Sequence, residues 1–121
     1  MGGVIHSATP VLRTDNYARA KAFYTDVLGF DCVEEAGEPV TGFGIFRRGA
    51  ARIFVEAWNG AEAPHDRWRA YFHVTDFEAL VSDLAARGAE FSKPPMTTEY
   101  NMREFEVTDP DGNVLAFGAD A

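Results

Sequence analysis

The sequence predicts an α+β fold in which two βαβββ repeats form a curved mixed sheet around a cleft. Three observations predict it. A strand followed by a glycine-terminated helix occurs twice, three short β-type runs follow each helix, and the two helices are nearly equal in length. At 121 residues the chain is long enough for one domain and too short for two. That domain is expected to span 1–121, with the repeats at about 4–60 and 68–119.

Thr9 to Thr14 reads as the first strand. Asn16 then offers an N-cap, and Tyr17, Ala20, Phe23, Tyr24, Val27 and Leu28 recur at helical spacing before Gly29. Phe30 to Glu34, Gly42 to Arg47 and Arg52 to Trp58 follow as β-type runs, broken at Gly37-Glu38-Pro39 and Gly49-Ala50. The second half repeats the grammar. Ala70 to Val74 is strand-like, Thr75 and Glu78 can form a capping box, and Phe77, Leu80, Val81 and Leu84 make one stripe closed by Gly88. Three runs follow: Glu90-Phe91, Arg103 to Thr108 and Val114 to Phe117. A Pro94-Pro95 break and an Asp109-Pro110-Asp111-Gly112-Asn113 turn separate them. Each helix should cover the outer face of its sheet, leaving a concave inner face to line the cleft.

Hydrophobic residues make up 46% and charged residues 25% of the chain, the balance of a globular protein with a packed core. The 11 basic and 19 acidic side chains give a net charge of −8, which opposes binding to phosphate backbones and favours a cationic ligand. No nucleic-acid partner is expected. No apolar run is long enough to cross a bilayer, and the N-terminus lacks a signal-peptide pattern, so no membrane partner and a cytoplasmic location are expected. Cys32 is the only cysteine, which excludes an internal disulfide and a multi-cysteine metal site within one chain.

Three stretches resemble the glyoxalase/bleomycin-resistance/dioxygenase group, the vicinal oxygen chelate superfamily: residues Ala22 to Phe30, Val74-Thr75-Asp76, and Asp109 to Asn113. They occur in that family's order and spacing across almost the whole chain. The tract Asn101-Met102-Arg103-Glu104-Phe105 and the strand Thr9-Pro10-Val11-Leu12 are closest in style to its bleomycin-resistance-type, drug-binding members. The resemblance implies a homodimer in which each cleft draws on both subunits. An open apolar face on so short a chain fits that expectation.

Catalytic members of the family hold one divalent metal with a His or Glu from each of four strands. Carried over, those positions fall on Thr9, Glu56, Arg69 and Ala116. One carboxylate cannot hold a divalent ion against water, so no metal, no cofactor and no metal-dependent catalysis are expected. Arg69 could instead pair with Glu56 across the old site. His6 and His65 read as surface residues, and His73 as a residue on the inner face.

Strand parity places Phe54, Glu56 and Trp58 on one inner face, and Arg69, Tyr71 and His73 on another. Tyr100 and Arg103 approach the cleft from the loop and strand that follow. These eight residues are the candidate ligand-binding set, and none is assigned as catalytic. The reading is a metal-independent protein that sequesters an aromatic or cationic small molecule, such as an antibiotic, and so confers resistance to it. The alternative is a glyoxalase-superfamily enzyme of lyase, isomerase or dioxygenase type with unconventional catalytic residues, His73 or Glu56 acting as base. A third reading is a scaffold whose cleft is filled by side chains.

Overall fold

The computed structural model describes residues 2–37, 42–58 and 67–121. Within these residues two four-stranded mixed sheets form. The first contains β1 (Val11–Thr14), β2 (Asp31–Ala36), β3 (Phe43–Arg48) and β4 (Ala51–Ala57) in the order β1-β4-β3-β2. The second contains β5 (Trp68–His73), β6 (Lys93–Thr97), β7 (Met102–Thr108) and β8 (Val114–Asp120) in the order β5-β8-β7-β6. In each sheet the first strand runs parallel to the last, and the other pairs are antiparallel. The two βαβββ halves are therefore present as expected.

The first helix starts where Asn16 accepts the Arg19 N–H at 3.1 Å. It runs as α1 (Tyr17–Ala22) and then widens into a π-helical turn, Phe23–Val27. Gly29, at φ 69, supplies the left-handed residue that ends it. The second helix, α2 (Phe77–Ala86), begins differently from the expected capping box. Its N-cap is Asp76, a left-handed residue at φ 54 whose side chain makes no capping bond. Glu78 is drawn away to Arg103, 2.9 Å from its carboxylate, so the reciprocal cap through Thr75 and Glu78 does not form.

One strand lies elsewhere than expected. Glu90-Phe91 is not a strand, whereas β6 passes through Pro94 and Pro95, which read as a break. Proline removes a ladder donor and is tolerated where no further strand pairs. β6 is such an edge, and its register with β7 shifts between Lys93 and Met96, across the two prolines. The break at Glu38-Pro39 and the Ala61 to Asp66 loop with His65 lie outside the described residues.

The core is one cluster drawn from both halves, including Tyr24, Leu28, Phe46 and Ile53 from the first and Leu84, Phe105, Leu115 and Phe117 from the second. The halves meet through their helix-side residues. The Tyr24 hydroxyl donates to Asp109 at 2.6 Å, Asn113 donates to the Arg13 carbonyl at 3.1 Å, and Phe30 packs edge-on against Phe72. Burial, with the Asp109 carboxylate beside it, pushes the Tyr24 phenol well above its ordinary range. Asp109 is itself held by the N–H groups of Asp111 and Asn113 at 2.9 and 2.8 Å, so the Asp-Pro-Asp-Gly-Asn turn is both a turn and a clasp. Among the described residues no helix is long and apolar enough to cross a membrane.

Candidate functional site

Both sheets spend one face on the shared core. The opposite faces carry the polar and aromatic chemistry. In the second sheet the ladders pair Tyr71 with Ala116, Glu106 with Ala116, and both His73 and Glu104 with Gly118. These six positions therefore share the outward face, while Phe72, Phe105 and Phe117 stack on the core side. A register shift between Trp68 and Ala70 adds a residue to β5. Trp68 is thereby brought against Tyr71, ring centroids 5.0 Å apart, and Tyr71 lies 5.2 Å from His73.

Glu104 is the centre of this face. Only 1% of it is exposed, yet its partners are two phenols: Tyr71 donates to one oxygen at 2.9 Å and Tyr100 to the other at 2.7 Å. Trp68 donates its indole N–H to the neighbouring Glu106 at 2.9 Å. Among the described residues no ion pair includes either carboxylate. A buried charge normally takes a cation or a full set of hydrogen bonds. Burial, then the hydrogen bond and charge of Glu104, push the Tyr71 phenol up to about 12. The bond to Glu104 raises Tyr100 as well. Both phenols are thus held as donors, and the arrangement sets three aromatic rings around negative charge that, among the described residues, no ion pair offsets.

In the first sheet Phe54 packs against Phe43 at 5.1 Å, next to Glu56. The cation that meets Glu56 is Arg13, its register partner on β1, at 3.4 Å. Arg69, the partner expected from the sequence, sits at the register shift of β5 in the other sheet. The Arg13 guanidinium also lies 4.5 Å over the Trp58 ring, a cation–π contact at an exposed edge.

Of the sequence candidates, Phe54, Glu56 and Trp58 fall together on the first sheet, and Tyr71, His73 and Tyr100 fall together on the second. Arg103 does not join them. It alternates with Glu104 on β7, points to the helix side, pairs with Glu78 and covers the Phe77 ring at 5.0 Å. The sequence also sets Trp68 beside the fifth strand and Glu104 with Arg103 at the cleft's edge, whereas Glu106 and Arg13 carry no such expectation. The alternation Glu104, Phe105, Glu106, Val107 carried the signal for the two carboxylates, since apolar neighbours in the core send the acids outward.

The donor set does not fit the family's metal. Ala116 carries no ligand atom, Thr9 lies ahead of β1, and the one matching carboxylate, Glu56, is spent on Arg13. His6 is exposed, in the segment before β1. Among the described residues no group of three or more His, Cys, Asp or Glu side chains is placed to share an ion.

Residues 4–117 match the Glyoxalase/Bleomycin resistance protein/Dioxygenase superfamily. No curated protein matches the chain. Among solved structures, a glyoxalase family protein from Bacillus anthracis is 22% identical, with 100% of both chains covered and a TM-score of 0.78. A glyoxalase-related enzyme from Clostridium phytofermentans is 18% identical over 99% of this chain and 98% of that one, with a TM-score of 0.78. A bleomycin-binding protein in complex with bleomycin is 21% identical over 97% of this chain and 100% of that one, with a TM-score of 0.80. These likenesses concern the fold. With both βαβββ halves in place and the family match running over nearly the whole chain, the protein belongs to the glyoxalase/bleomycin resistance protein/dioxygenase superfamily.

Proposed function

We propose that this single-domain protein is a metal-independent cytoplasmic binder of a small organic molecule that combines a ring system with a positive charge. It holds the molecule without transforming it. The observation that carries the reading is Glu104, a carboxylate 1% exposed whose charge, among the described residues, meets only phenols, ringed by Trp68, Tyr71 and Tyr100. Aromatic faces supply contact area and cation–π attraction, and the two carboxylates supply the countercharge. The net charge of −8 draws a cation toward the face. The structural likeness to a bleomycin-binding protein supports an antibiotic as the ligand and resistance by sequestration as the consequence.

A second copy of the chain completes the cleft in this reading. The aromatic faces of the two sheets point away from their common core, so one copy does not bring its own faces together. They remain open at Trp58, Trp68 and Tyr100, which are 45%, 46% and 57% exposed. A homodimer that set the first sheet of one subunit against the second sheet of its partner would cover these rings and create two equivalent clefts.

Titration calorimetry of the purified protein with bleomycin, followed by a thermal-shift screen of other cationic natural products, tests the reading. Binding at one molecule per subunit, unchanged by chelator and weakened at least tenfold in Glu104→Gln, is expected. Chemical conversion of the ligand, or binding that needs an added metal, overturns it.

A further inference from the structure

A cavity of about 520 Å³ lies where the β3–β4 turn of one half meets the start of α2 in the other, and of the aromatic-face residues named above His73 alone lines it. Its size is that of a pocket for a small organic molecule. Leu28, Phe30, Phe72, Leu84 and Phe117 form an apolar floor, in which Phe72 and Phe117 stack at 5.0 Å with their planes 22° apart.

The polar groups at the rim differ in what they have left to offer. Arg48 is already engaged: its guanidinium donates to the Leu28 carbonyl at 2.9 Å and pairs at 2.9 Å with Asp83, a carboxylate it shares with Arg87. Asp76 is not. It occupies the N-cap of α2, where an aspartate ordinarily accepts a helix N–H, but its left-handed backbone at φ 54 leaves the side chain without that bond. Among the described residues its carboxylate has no hydrogen-bond or ion-pair partner, and it stands exposed at the mouth of an apolar cavity.

We propose that this cavity is a second ligand site, separate from the Glu104 face, which takes an amphipathic organic cation: a ring body against the phenylalanine floor and an ammonium group at Asp76. An anion is disfavoured by the Asp76 carboxylate at the rim and by the charge of −8 on the whole chain. A neutral ring compound fills the same space without the contact at the rim. The proposal does not depend on the function assigned to the aromatic face.

The test uses three probes of equal size: a naphthylalkylammonium, the corresponding alcohol and the corresponding carboxylate. Affinities come from calorimetry and locations from amide chemical shifts. The ammonium should bind most tightly and shift the amides of Thr75, Ala79 and Leu80. Asp76→Asn should weaken it about fivefold while leaving the alcohol unchanged, the size of a partly exposed charge contact. Asparagine tolerates the left-handed backbone, so this variant keeps the local fold. Ala79→Phe, on the exposed surface of α2 at the rim, should reduce binding of all the probes, whereas Glu104→Gln should change none at this location. Tighter binding of the carboxylate, shifts confined to Tyr71, Tyr100 and Glu104, or no binding by any probe overturns the proposal. In the second of those outcomes the aromatic-face reading still stands, so the two failures are distinguishable.

Discussion

Tyr71 passes directly over Gly118 to set its hydroxyl on Glu104. A Cβ at position 118 would overlap the Tyr71 hydroxyl and lie 3.2 Å from Cγ of Glu104. The glycine is required by this close approach and not by its backbone angles, since it is absent from the positive-φ residues. Gly118→Ala should therefore evict Tyr71, cost about 1–3 kcal/mol of stability through overpacking, and abolish ligand binding at the aromatic face. Urea unfolding and calorimetry read the two effects separately.

The Tyr71 phenol, raised from 10.0 to about 12, gives a titration that reports on the same contact. A group whose folded value is raised contributes stability that is complete below pH 10 and is lost as the pH climbs toward 12. In Glu104→Gln the phenol should titrate lower, because a neutral partner no longer repels the phenolate, yet stay above its usual value, because burial is the largest cause of the shift. Absorbance of the tyrosinate during an alkaline titration checks this. An unchanged titration in the variant would show that Glu104 is not its electrostatic partner.

At the acid end the governing groups are Glu35 and Asp83. Hydrogen bonds from Tyr17 and Lys21 lower Glu35, and Arg48 and Arg87 lower Asp83. Depressed carboxylates stabilise the fold above their unfolded values of 4.5 and 3.8, and that stabilisation disappears as the pH falls through the still lower folded values. Melting temperature should thus decline most steeply below about pH 4. The decline should be shallower in Glu35→Gln, as followed by circular dichroism.

Tyr24→Phe removes one hydroxyl from the clasp between the halves and leaves a buried carboxylate one donor short. A hydrogen bond to a charged group contributes about 1.5–3 kcal/mol, and the variant should lose stability on that scale. Hydrogen exchange should quicken on both sides of the junction, at Phe30 and at Phe72, because the bond holds one half to the other. A loss confined to the first half would mean that the halves are joined chiefly by their apolar contacts.

Much of the architecture was legible because period and punctuation agree. Asn16, Gly29 and Gly88 mark helix ends by chemistry that tertiary packing does not overrule. Misreadings arose where context reversed a local rule. Pro94 and Pro95 break a central strand, but nothing in the local sequence says that their strand is an edge. Thr75 and Glu78 have the spacing of a capping box, but the competing guanidinium of Arg103 comes from 25 residues away. The candidate site was half legible for a similar reason. Parity located Phe54, Tyr71 and His73, whereas the extra residue in β5 that turns Trp68 onto Tyr71 shows itself only in the strand pairing.

The tie from Tyr24 to Asp109 runs in one direction. A tyrosine in the helix of the leading repeat reaches a carboxylate in the last turn of the trailing one, and the corresponding turn of the leading repeat is the Gly49-Ala50 hairpin, which has no acid to offer in return. The duplication has consequently become a key and a lock. A fusion of two leading repeats would lack the acid, and one of two trailing repeats would lack the phenol, however alike their folds.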